Sequence, residues 1–411
     1  MHILLIHQYF LEDNGGGGSR WNEMSRIWVA EGHHVTVVAG TGHYMNQETG
    51  VTKKFFAQNV NSNSVRIIRC HVSRRYHLGF AGRLWAYFSF TLSATLGGIL
   101  YARDRYDLVL VTSPPLLAGI AGLFISRWKR IPLVLEIRDL WPESAVDTGV
   151  LKNRFLIQMS YWLENQLYKC VRLINVLTPA FREVLIQEKK VYPSKIIMVP
   201  NAADFSLSEH YLQTFAREAF RRELKLENKF VVIYVGAHGV ANHLIQILET
   251  ADLLRDTNVL FLLIGDGVQK RQLMEEAFRM QLNNVRFQDP VGKAEIFKYI
   301  LAADAGTSVL KKADTFKTIY SNKTFDYFSC KKPVLMAIDG ISRQLVEEAS
   351  AGIFVEPENP ADFAFKIRQY KNDHTRCQAE GENGYQFARA HFDREILAKK
   401  YLEQLLALRK G

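Results

Sequence analysis

Short apolar runs recur along the chain, and each run ends at a polar residue, a glycine or a proline. The runs in the first half predict strands at Ile3–Ile6, Val35–Ala39, Val65–Arg69, Leu108–Thr112, Leu133–Ile137 and Leu173–Leu177. The pattern restarts after Phe230 and predicts strands at Val231–Val235, Val259–Ile264, Val285–Phe287, Ala305–Leu310, Pro333–Ala337 and Ile353–Val355. Continuous apolar strands separated by helical stretches are typical of parallel sheets that are covered on both faces.

Apolar positions at helical spacing lie between these strands, for example from Arg20 to Ala30. The pattern therefore predicts an α/β protein with two doubly wound, Rossmann-like domains that face a central cleft. The N-terminal domain covers residues 1–204 and the C-terminal domain residues 205–385. Residues 386–411 are expected to form a C-terminal helix that packs back toward the N-terminal domain. Sheets of this class bind nucleotide-sized ligands outside the carboxyl ends of their strands.

The composition agrees with two folded domains, since the 411 residues include 48% hydrophobic and 23% charged side chains. The four cysteines have no CxxC spacing, which excludes a thiolate zinc site and indicates free thiols in a reducing cytoplasm. The sequence contains no DxD or HExxH motif and no cluster of histidine and aspartate. We therefore expect neither a bound metal nor another cofactor.

Positive charge is concentrated in the first half of the chain. Residues 1–200 contain 23 Lys/Arg and 14 Asp/Glu, whereas residues 201–411 contain 29 and 28. Residues 51–130 alone contain 12 basic and two acidic side chains. Such an excess predicts an acidic partner surface, either nucleic acid or anionic lipid. A nucleic-acid-binding protein would leave the residues around the cleft without a purpose, so we expect a membrane surface and no nucleic acid.

Residues 84–102 carry no charge over 19 positions and, as a helix, would extend roughly 28 Å at about 1.5 Å per residue. A single crossing of the membrane would separate strands that must pair in one sheet. Two interpretations stay open: a helix buried against the sheet, or a helix lying in the membrane interface. Upstream arginines and the aromatic side chains Trp85, Phe88 and Phe90 favour membrane association of the region about 74–105.

Two segments of the first half carry candidate chemistry. A run of glycines that includes Gly16, Gly17 and Gly18 follows the first strand and opens a helix, so its backbone N–H groups can approach a phosphate. The segment does not fit GxGxxG or a P-loop. Arg138 and Asp139 follow the fifth apolar run. The arginine suits a phosphate or carboxylate, and the aspartate can accept a proton from an acceptor hydroxyl.

Lys323 carries the strongest signal in the second half, because it stands near the start of a helix and suits a diphosphate. Asp326 follows one turn later and can accept hydrogen bonds from ribose hydroxyls. Two further loops end strands and can shape a nucleotide site. They are Gly236-Ala237-His238-Gly239 and Gly265-Asp266-Gly267.

Several segments together make the chain resemble the family 4 glycosyltransferases, in a subgroup similar to bacterial O-antigen and capsule L-fucosamine transferases. The segments are GGGGSRWNE (15–23), EGHHVTVV (31–38), SPP (113–115), EIRDLWPES (136–144), TPAFREVL (178–185), VPNAAD (199–204), LLIGDG (262–267) and SNKTFDYFSCKKPVL (321–335). The resemblance extends over essentially the whole chain.

The resemblance implies a GT-B fold and retention of anomeric configuration without a metal. It implies transfer from a UDP-sugar, such as a UDP-linked FucNAc or another N-acetylated amino or deoxyamino sugar. The implied acceptor is a glycan on undecaprenyl diphosphate at the inner face of the plasma membrane. The donor would contact Gly16, Gly17, Gly18, Gly236, His238, Gly265, Asp266, Val291, Asn322, Lys323, Thr324 and Asp326. The acceptor would contact Arg20 and Glu143, and the catalytic residues would be Asp139, Arg138 and Lys323.

The chain departs from the family pattern at three places. Many relatives have a basic pair after the first strand of the second domain, where this chain has Gly236-Ala237-His238. An acid–seven–acid motif of the family has Thr318 at its first position and Asp326 at its second. Many relatives have a histidine where Arg138 stands. A UDP-sugar 2-epimerase of the same architecture remains an alternative activity, and it would need no acceptor.

Overall fold

The computed structural model describes residues 1–11, 20–41, 54–77, 79–147 and 149–409, and for residues 76 and 77 it describes the backbone alone. The described chain divides into two compact units. Unit 1 contains the described residues up to Pro200 together with those from Glu395 onward, and unit 2 contains Asn201–Arg394.

Unit 1 is built on one sheet. Within the described residues its strands are β1 His2–Ile6, β2 His34–Gly40, β3 Phe56–Val60, β4 Arg66–Cys70, β5 Leu108–Ser113, β6 Leu133–Ile137, β7 Leu173–Val176 and β8 Ile196–Met198. The helices are α1 Arg20–Ala30, α2 Gly79–Leu100, α3 Ala118–Lys129, α4 Glu143–Asp147, α5 Arg154–Cys170 and α6 Pro179–Gln187.

The strand order of this sheet is β3-β4-β2-β1-β5-β6-β7-β8, and neighbouring strands are parallel except for β3 and β4. Ile3 on the central strand pairs with Val35 on one side and Leu108 on the other. The apolar runs predicted as strands are therefore confirmed, because strands covered on both faces must be apolar throughout. The sequence pattern missed β3, an edge strand with exposed Gln58 and Asn59, and β8, which has three residues.

Unit 2 has a smaller sheet. Its strands are β9 Phe230–Val235, β10 Val259–Ile264, β11 Val285–Gln288, β12 Ala305–Val309, β13 Val334–Ala337 and β14 Gly352–Phe354. The helices are α7 Phe205–Thr214, α8 Arg217–Glu223, α9 Ile245–Asp252, α10 Lys270–Arg279, α11 Lys293–Ala302, α12 Asn322–Ser329, α13 Ile341–Glu348, α14 Pro360–Asn372 and α15 His374–His391. All six strands are parallel, in the order β11-β10-β9-β12-β13-β14. The predicted pair of doubly wound α/β domains is confirmed.

Tyr327 on α12 fixes this helix at the point where β9 and β12 diverge. A Cβ atom on Gly306 of β12 would lie 2.4 Å from the Tyr327 ring, so the glycine leaves the space that the ring occupies. The Tyr327 hydroxyl accepts a hydrogen bond from Val235 N (3.1 Å) and lies 3.2 Å from the Thr307 carbonyl oxygen. Strands β9 and β12 are thus held against α12 by a buried side chain.

The last helix, α16 (Arg394–Ala407), packs on α1 in unit 1. Trp28 Nε1 donates a hydrogen bond to the Ala398 carbonyl oxygen (2.8 Å), and the Tyr401 ring lies edge-on to Trp28 at 5.8 Å. The preceding helix, α15, begins at His374 and belongs to unit 2.

The 22-residue helix α2 packs against α3, β2 and β4. In the part of the chain that the structure describes, none of the helices has both the length and the apolar character needed to cross a bilayer.

Candidate functional site

Each sheet changes the direction of its strand order at one point. In unit 1 this point lies between β1 and β5, and in unit 2 between β9 and β12. Doubly wound sheets bind ligands in the crevice outside the carboxyl ends of the strands at such a point. The side chains that follow these four strands therefore define a candidate site in each unit.

In unit 2, Lys323 lies at this point. It stands in the first turn of α12, and a Cβ atom added to Gly236, the residue after β9, would lie 3.2 Å from Lys323 Cε. The Lys323 ammonium lies 4.7 Å from the centre of the Tyr234 ring. Burial lowers the pKa of Lys323 to about 8, and the nearby carboxylate of Asp326 opposes this effect. Among the described residues no carboxylate lies within 4.0 Å of the ammonium, so an anionic ligand can supply its counter-charge.

Buried hydroxyl groups support the start of α12. Ser321 Oγ donates to Ser308 Oγ (3.0 Å), and Ser308 Oγ lies 3.4 Å from Thr324 Oγ1. The Ser321 hydroxyl does not cap the helix, because it is directed to this internal network. The exposed Asn322 accepts a hydrogen bond from the Asn201 side chain. Of the predicted donor residues on α12, Asn322 and Lys323 are thus at the surface of the site and Thr324 supports it from inside.

The loops after β9 and β10 are in direct backbone contact. Gly265 has φ 148°, and a Cβ atom there would lie 1.9 Å from the Gly236 carbonyl oxygen. His238 N donates to the Asp266 carbonyl oxygen, and Gln269 N donates to the His238 carbonyl oxygen, both at 2.9 Å. Only glycine permits this approach, which explains why the predicted loops are glycine-rich. The Asp266 carboxylate accepts a hydrogen bond from Gly267 N (2.8 Å) and so shapes its own turn.

His238 points into the protein. Its ring is fully buried near the Tyr234 and Phe287 rings, with centroids 6.0 and 6.1 Å away. Neither ring nitrogen has a hydrogen-bond partner among the described residues. Burial, with a smaller contribution from the positive charge of Lys270, lowers the pKa of His238 to about 4. The ring is therefore neutral at pH 7, and its loop can offer a ligand backbone groups but no imidazolium charge.

Asp326 forms an ion pair that the sequence did not predict. Its Oδ1 atom lies 2.8 Å from the ammonium of Lys293, the first residue of α11. Val291, two residues earlier, packs against the core of unit 2. Lys293 follows Gly292 at a helix start, which is the same signal that identified Lys323, so the sequence contained the information. The structure brings both lysines and Asp326 to the same end of the sheet.

In unit 1, His7 bridges the two strands at which the order changes. Its Nδ1 atom lies 2.8 Å from Thr112 Oγ1 at the end of β5, and its Nε2 atom lies 3.4 Å from the Arg138 guanidinium. The sequence interpretation missed His7, although His7 and Gln8 are polar residues directly after an apolar run. Both atoms of the buried Gln8 amide lack a hydrogen-bond partner in the described chain.

Asp139 follows Arg138 and carries a perturbed carboxyl group. Burial raises the pKa of Asp139 to about 6, although Ser144 Oγ donates a hydrogen bond to it at 2.8 Å. A carboxyl group that titrates near pH 6 can exchange protons under physiological conditions. Glu143, at the start of α4, forms an ion pair with Lys189, whose ammonium also lies 2.7 Å from Glu164. The expected acceptor contact of Glu143 would therefore compete with this ion pair.

Arg20 has a structural position. Its side chain is 2% exposed, and its Nε and Nη2 atoms each donate to the Glu136 carboxylate at 3.0 Å. Its other donors reach the carbonyl oxygens of Val199 and Pro200. This burial argues against the predicted contact with an acceptor. The predicted phosphate loop with Gly16, Gly17 and Gly18 lies outside the described residues.

Comparison with known families gives a consistent result for both units. The family model described as "Glycosyl transferase 4-like domain" matches residues 15–202, and the one described as "Glycosyl transferases group 1" matches residues 229–373. The gap between the two matches includes α7 and α8 at the start of unit 2.

Individual relatives have low sequence identity to this chain, but some of them match it over nearly its whole length. The chain is 22% identical to the putative colanic acid biosynthesis glycosyl transferase WcaI of Escherichia coli K12 over 90% of this chain and 92% of that protein. It is 27% identical to an Escherichia coli UDP-Gal:alpha-D-GlcNAc-diphosphoundecaprenol alpha-1,3-galactosyltransferase over 41% of this chain and 42% of that protein. Among solved structures, Anabaena HepE in complex with UDP and glucose matches with a TM-score of 0.73 at 18% identity, over 99% of this chain and 100% of that one.

Proposed function

Because the chain belongs to the family 4 glycosyltransferases with the GT-B fold, we propose that it transfers a sugar from a UDP-sugar to a lipid-diphosphate-linked glycan. The anomeric configuration of the sugar is retained. The sugar is an N-acetylated amino or deoxyamino sugar such as FucNAc, and the product serves bacterial surface polysaccharide synthesis. The observation that carries the proposal is the position of Lys323, whose partly buried side chain places an ammonium at the point of unit 2 where the strand order changes.

Unit 2 binds the donor in this proposal. Lys323 and the start of α12 hold the diphosphate, since both a fixed positive charge and a helix start favour an anion. The backbone of the loops at Gly236 and Gly265 lies beside them, and the UDP complex of the related Anabaena protein supports a uridine nucleotide. Val291 lines the nucleotide site next to these loops.

Asp326 binds the ribose in this proposal, with its orientation set by Lys293. The ion pair of 2.8 Å holds one carboxylate oxygen, so the carboxylate is positioned before the nucleotide arrives. A ribose hydroxyl then donates a hydrogen bond to an ionised acceptor, which is a strong type of hydrogen bond. Thr318 replaces the acid that commonly precedes this residue in the family, so the transferred sugar is bound by other groups.

Unit 1 binds the acceptor. The pair of His7 and Arg138 lies near the point of unit 1 where the strand order changes direction. A guanidinium suits the diphosphate of a lipid-linked sugar. The name of the Escherichia coli galactosyltransferase relative, which acts on a diphosphoundecaprenol-linked sugar, supports an undecaprenyl-diphosphate glycan as the acceptor. Asp139 follows Arg138 in the chain, and its raised pKa suits it to accept the proton of the acceptor hydroxyl.

The reaction breaks the bond between the anomeric carbon and the diphosphate and forms a bond from that carbon to the acceptor oxygen on the same face. The acceptor proton goes to the departing diphosphate or to Asp139. Lys323 stabilises the negative charge that develops on the leaving group. Removing one such stabilising group typically lowers the rate by about 10²–10³-fold. No divalent metal is needed for this charge stabilisation, so activity is expected to persist in EDTA.

The test is a screen of UDP-sugars against lipid-diphosphate-linked sugars, with the products analysed by mass spectrometry. We expect one donor to yield a glycosylated lipid and UDP, and we expect Lys323→Ala to lose turnover by about 10²–10³-fold. Lys331→Ala is the matched control, because that exposed lysine of unit 2 pairs with Glu382 and should leave turnover unchanged.

Two results would contradict the proposal. Conversion of a UDP-sugar to its 2-epimer without any acceptor would identify the alternative activity. Near-normal turnover of Lys323→Ala would show that the start of α12 does not bind the diphosphate.

A further inference from the structure

All side chains of helix α2 that are largely exposed are apolar, whereas the polar residues of the helix are buried or only partly exposed. Its exposed positions recur at helical spacing and are Ala81, Trp85, Phe88, Leu92, Leu96 and Leu100. The opposite face is buried against the unit through residues such as Phe90 and Ala94. A helix in the outer layer of a globular protein normally presents polar side chains to water. An apolar face on both sides indicates that the outward side is covered by something else.

The apolar surface continues over α3 and α5. A Cβ atom on Gly98 of α2 would lie 2.3 Å from Ile125 of α3, and one on Gly119 of α3 would lie 2.5 Å from Leu167 of α5. These glycines bring the three helices into close contact in one layer. The exposed apolar residues that α3 and α5 add are Phe124, Trp128, Phe155, Met159 and Trp162. Trp128 and Phe155 are each 70% exposed, so most of each apolar ring faces solvent in the free chain.

Positive charge predominates in the segments that carry this surface. The segments 74–105, 118–130 and 152–170 contain eleven Lys/Arg and two Asp/Glu. Both acids are engaged, because Asp104 pairs with Arg66 at 2.7 Å and the buried Glu164 pairs with Lys189. Arg127 on α3 also reaches the Cys170 sulfur at the end of α5 (3.6 Å), so basic and apolar groups belong to the same layer.

We propose that α2, α3 and α5 form one lipid-binding surface, the aromatic face, which inserts Trp85, Phe88, Phe124, Trp128, Phe155 and Trp162 into a bilayer with anionic headgroups. Charge complementarity identifies the occupant, since basic side chains beside exposed aromatic ones match an anionic leaflet. A second copy of the chain does not match, because pairing this face with itself would oppose two positive surfaces.

This inference rests on the proposed function and deepens it, because an enzyme that acts on a lipid-linked acceptor must work at a membrane surface. The aromatic face includes α3 and α5, whereas the sequence pattern indicated only the region about 74–105. Insertion is confined to the outer side of the layer, since the inner side of α2 is packed on the protein. Helices that lie in an interface bury their apolar face by about 5–10 Å.

The experiment measures binding of the full chain to vesicles by flotation. We expect binding to phosphatidylcholine vesicles that contain one quarter phosphatidylglycerol, and little binding to phosphatidylcholine alone or in 1 M salt. Trp128→Ser and Trp162→Ser should each weaken binding by about tenfold or more, because each removes a large apolar side chain from lipid. Phe278→Ser is the matched control, since that residue of unit 2 is 87% exposed but lies outside the face.

A second measurement keeps the test independent of folding. Tryptophan fluorescence of the full chain should shift to shorter wavelength on anionic vesicles and should be quenched by brominated lipid. Each Trp variant should keep the thermal transition of unit 1 at the wild-type temperature, which shows that the unit carrying the substitution is folded.

Three outcomes would overturn the inference: no binding of the wild type to anionic vesicles, equal weakening by Phe278→Ser, or a fall in oligomeric mass caused by the Trp variants in the absence of lipid. The last outcome would assign the face to contacts between copies. None of these outcomes would contradict the proposed function. Failure of the proposed function would instead be seen as the absence of transfer or hydrolysis of any UDP-sugar.

Discussion

Lys323 combines a partly buried ammonium with a position at the carboxyl end of the strands of its sheet, where we propose that the donor binds. Because burial lowers its pKa to about 8, the free protein loses this charge as the pH rises through 8. A bound diphosphate stabilises the ammonium and raises its pKa, so binding takes up a proton above that pH. The affinity for UDP should therefore fall by up to about tenfold per pH unit above 8, until the pKa of the complex is reached.

Isothermal titration with UDP between pH 7.5 and 9 checks this expectation, since the terminal phosphate titrates near pH 6 and stays ionised throughout. Lys323→Arg is the control, because a guanidinium keeps its charge over this range and should remove the pH dependence. An unchanged slope in Lys323→Arg would show that another group is responsible.

The ionised carboxylate of Asp139 should destabilise the folded chain, because the carboxyl group is buried. An unfolded aspartate titrates near pH 3.9, whereas burial raises the pKa of Asp139 to about 6 in the folded chain. The folded state therefore keeps a proton that the unfolded state has lost, and stability falls as the pH rises from about 4 to 6. Asp139→Asn should raise the free energy of unfolding by about 1–3 kcal/mol at pH 8 and by nothing at pH 3.

Urea unfolding at the two pH values measures this difference. If Asp139 takes the acceptor proton, wild-type turnover should also decline below pH 6, and Asp139→Asn should be slow at every pH. Full turnover of Asp139→Asn would instead show that the departing diphosphate takes the acceptor proton. Ser144→Ala serves as the control, because it removes the hydrogen bond to the carboxylate but keeps the carboxyl group.

At the scale of elements, one buried network connects α1, β6, β7 and the chain after β8. Arg20 and Glu136 form its ion pair, and Asn175 Nδ2 donates to Glu136 Oε2 at 2.9 Å. Asn175 also accepts a hydrogen bond from Val199 N at 2.8 Å. The network explains why a charged pair is tolerated inside unit 1, since nearly every polar atom has a partner.

Breaking this ion pair should be costly, because a single replacement leaves a buried charge uncompensated. We expect Glu136→Gln or Arg20→Met to lower the free energy of unfolding by about 3–5 kcal/mol. The double variant Arg20→Met, Glu136→Leu should recover much of the loss, since no charge remains buried.

Urea denaturation followed by tryptophan fluorescence measures both effects. Arg66→Ala is the matched control, because its pair with Asp104 is largely exposed and should contribute less than about 1 kcal/mol. Single variants that stay within about 1 kcal/mol of the wild type would contradict the account.

At the scale of the whole molecule, the last helix of the chain completes the core of the first unit. Tyr401 on α16 is fully buried beside Trp21 and Trp28. The C-terminal residues are therefore part of the N-terminal half of the fold. Unit 1 depends on a segment that is synthesised after all of unit 2.

Tyr401→Ala should therefore destabilise unit 1 specifically, by about 3–5 kcal/mol for the loss of a large buried ring. Calorimetry should show the transition of unit 1 moving to lower temperature, with the transition of unit 2 unchanged. Ile396→Ala, on the same helix but largely exposed, should leave both transitions in place. A shift of both transitions, or of neither, would refute this division.

The sequence alone identified the two parallel sheets, because strands covered on both faces must be continuously apolar and therefore stand out. It also predicted site roles for Arg138 and Asp139, which follow such a run, and for Lys323, which stands near a helix start; these roles stay predictions. It missed His7 and Lys293: both carry a local signal, after an apolar run and at a helix start, but their contacts with Thr112 and Asp326 are made only in the folded chain.

Burial and pairing were decided by the tertiary structure. The sequence could not tell an arginine that contacts a ligand from one that neutralises a buried glutamate, as Arg20 does with Glu136. Nor could it show that three helices distant in sequence share one exposed aromatic face. Local sequence determines which elements form and which residues follow them, because hydrogen-bond geometry and apolar periodicity are local. Which charges are paired and which apolar faces stay uncovered depends on contacts between distant segments, so only the folded chain decides them.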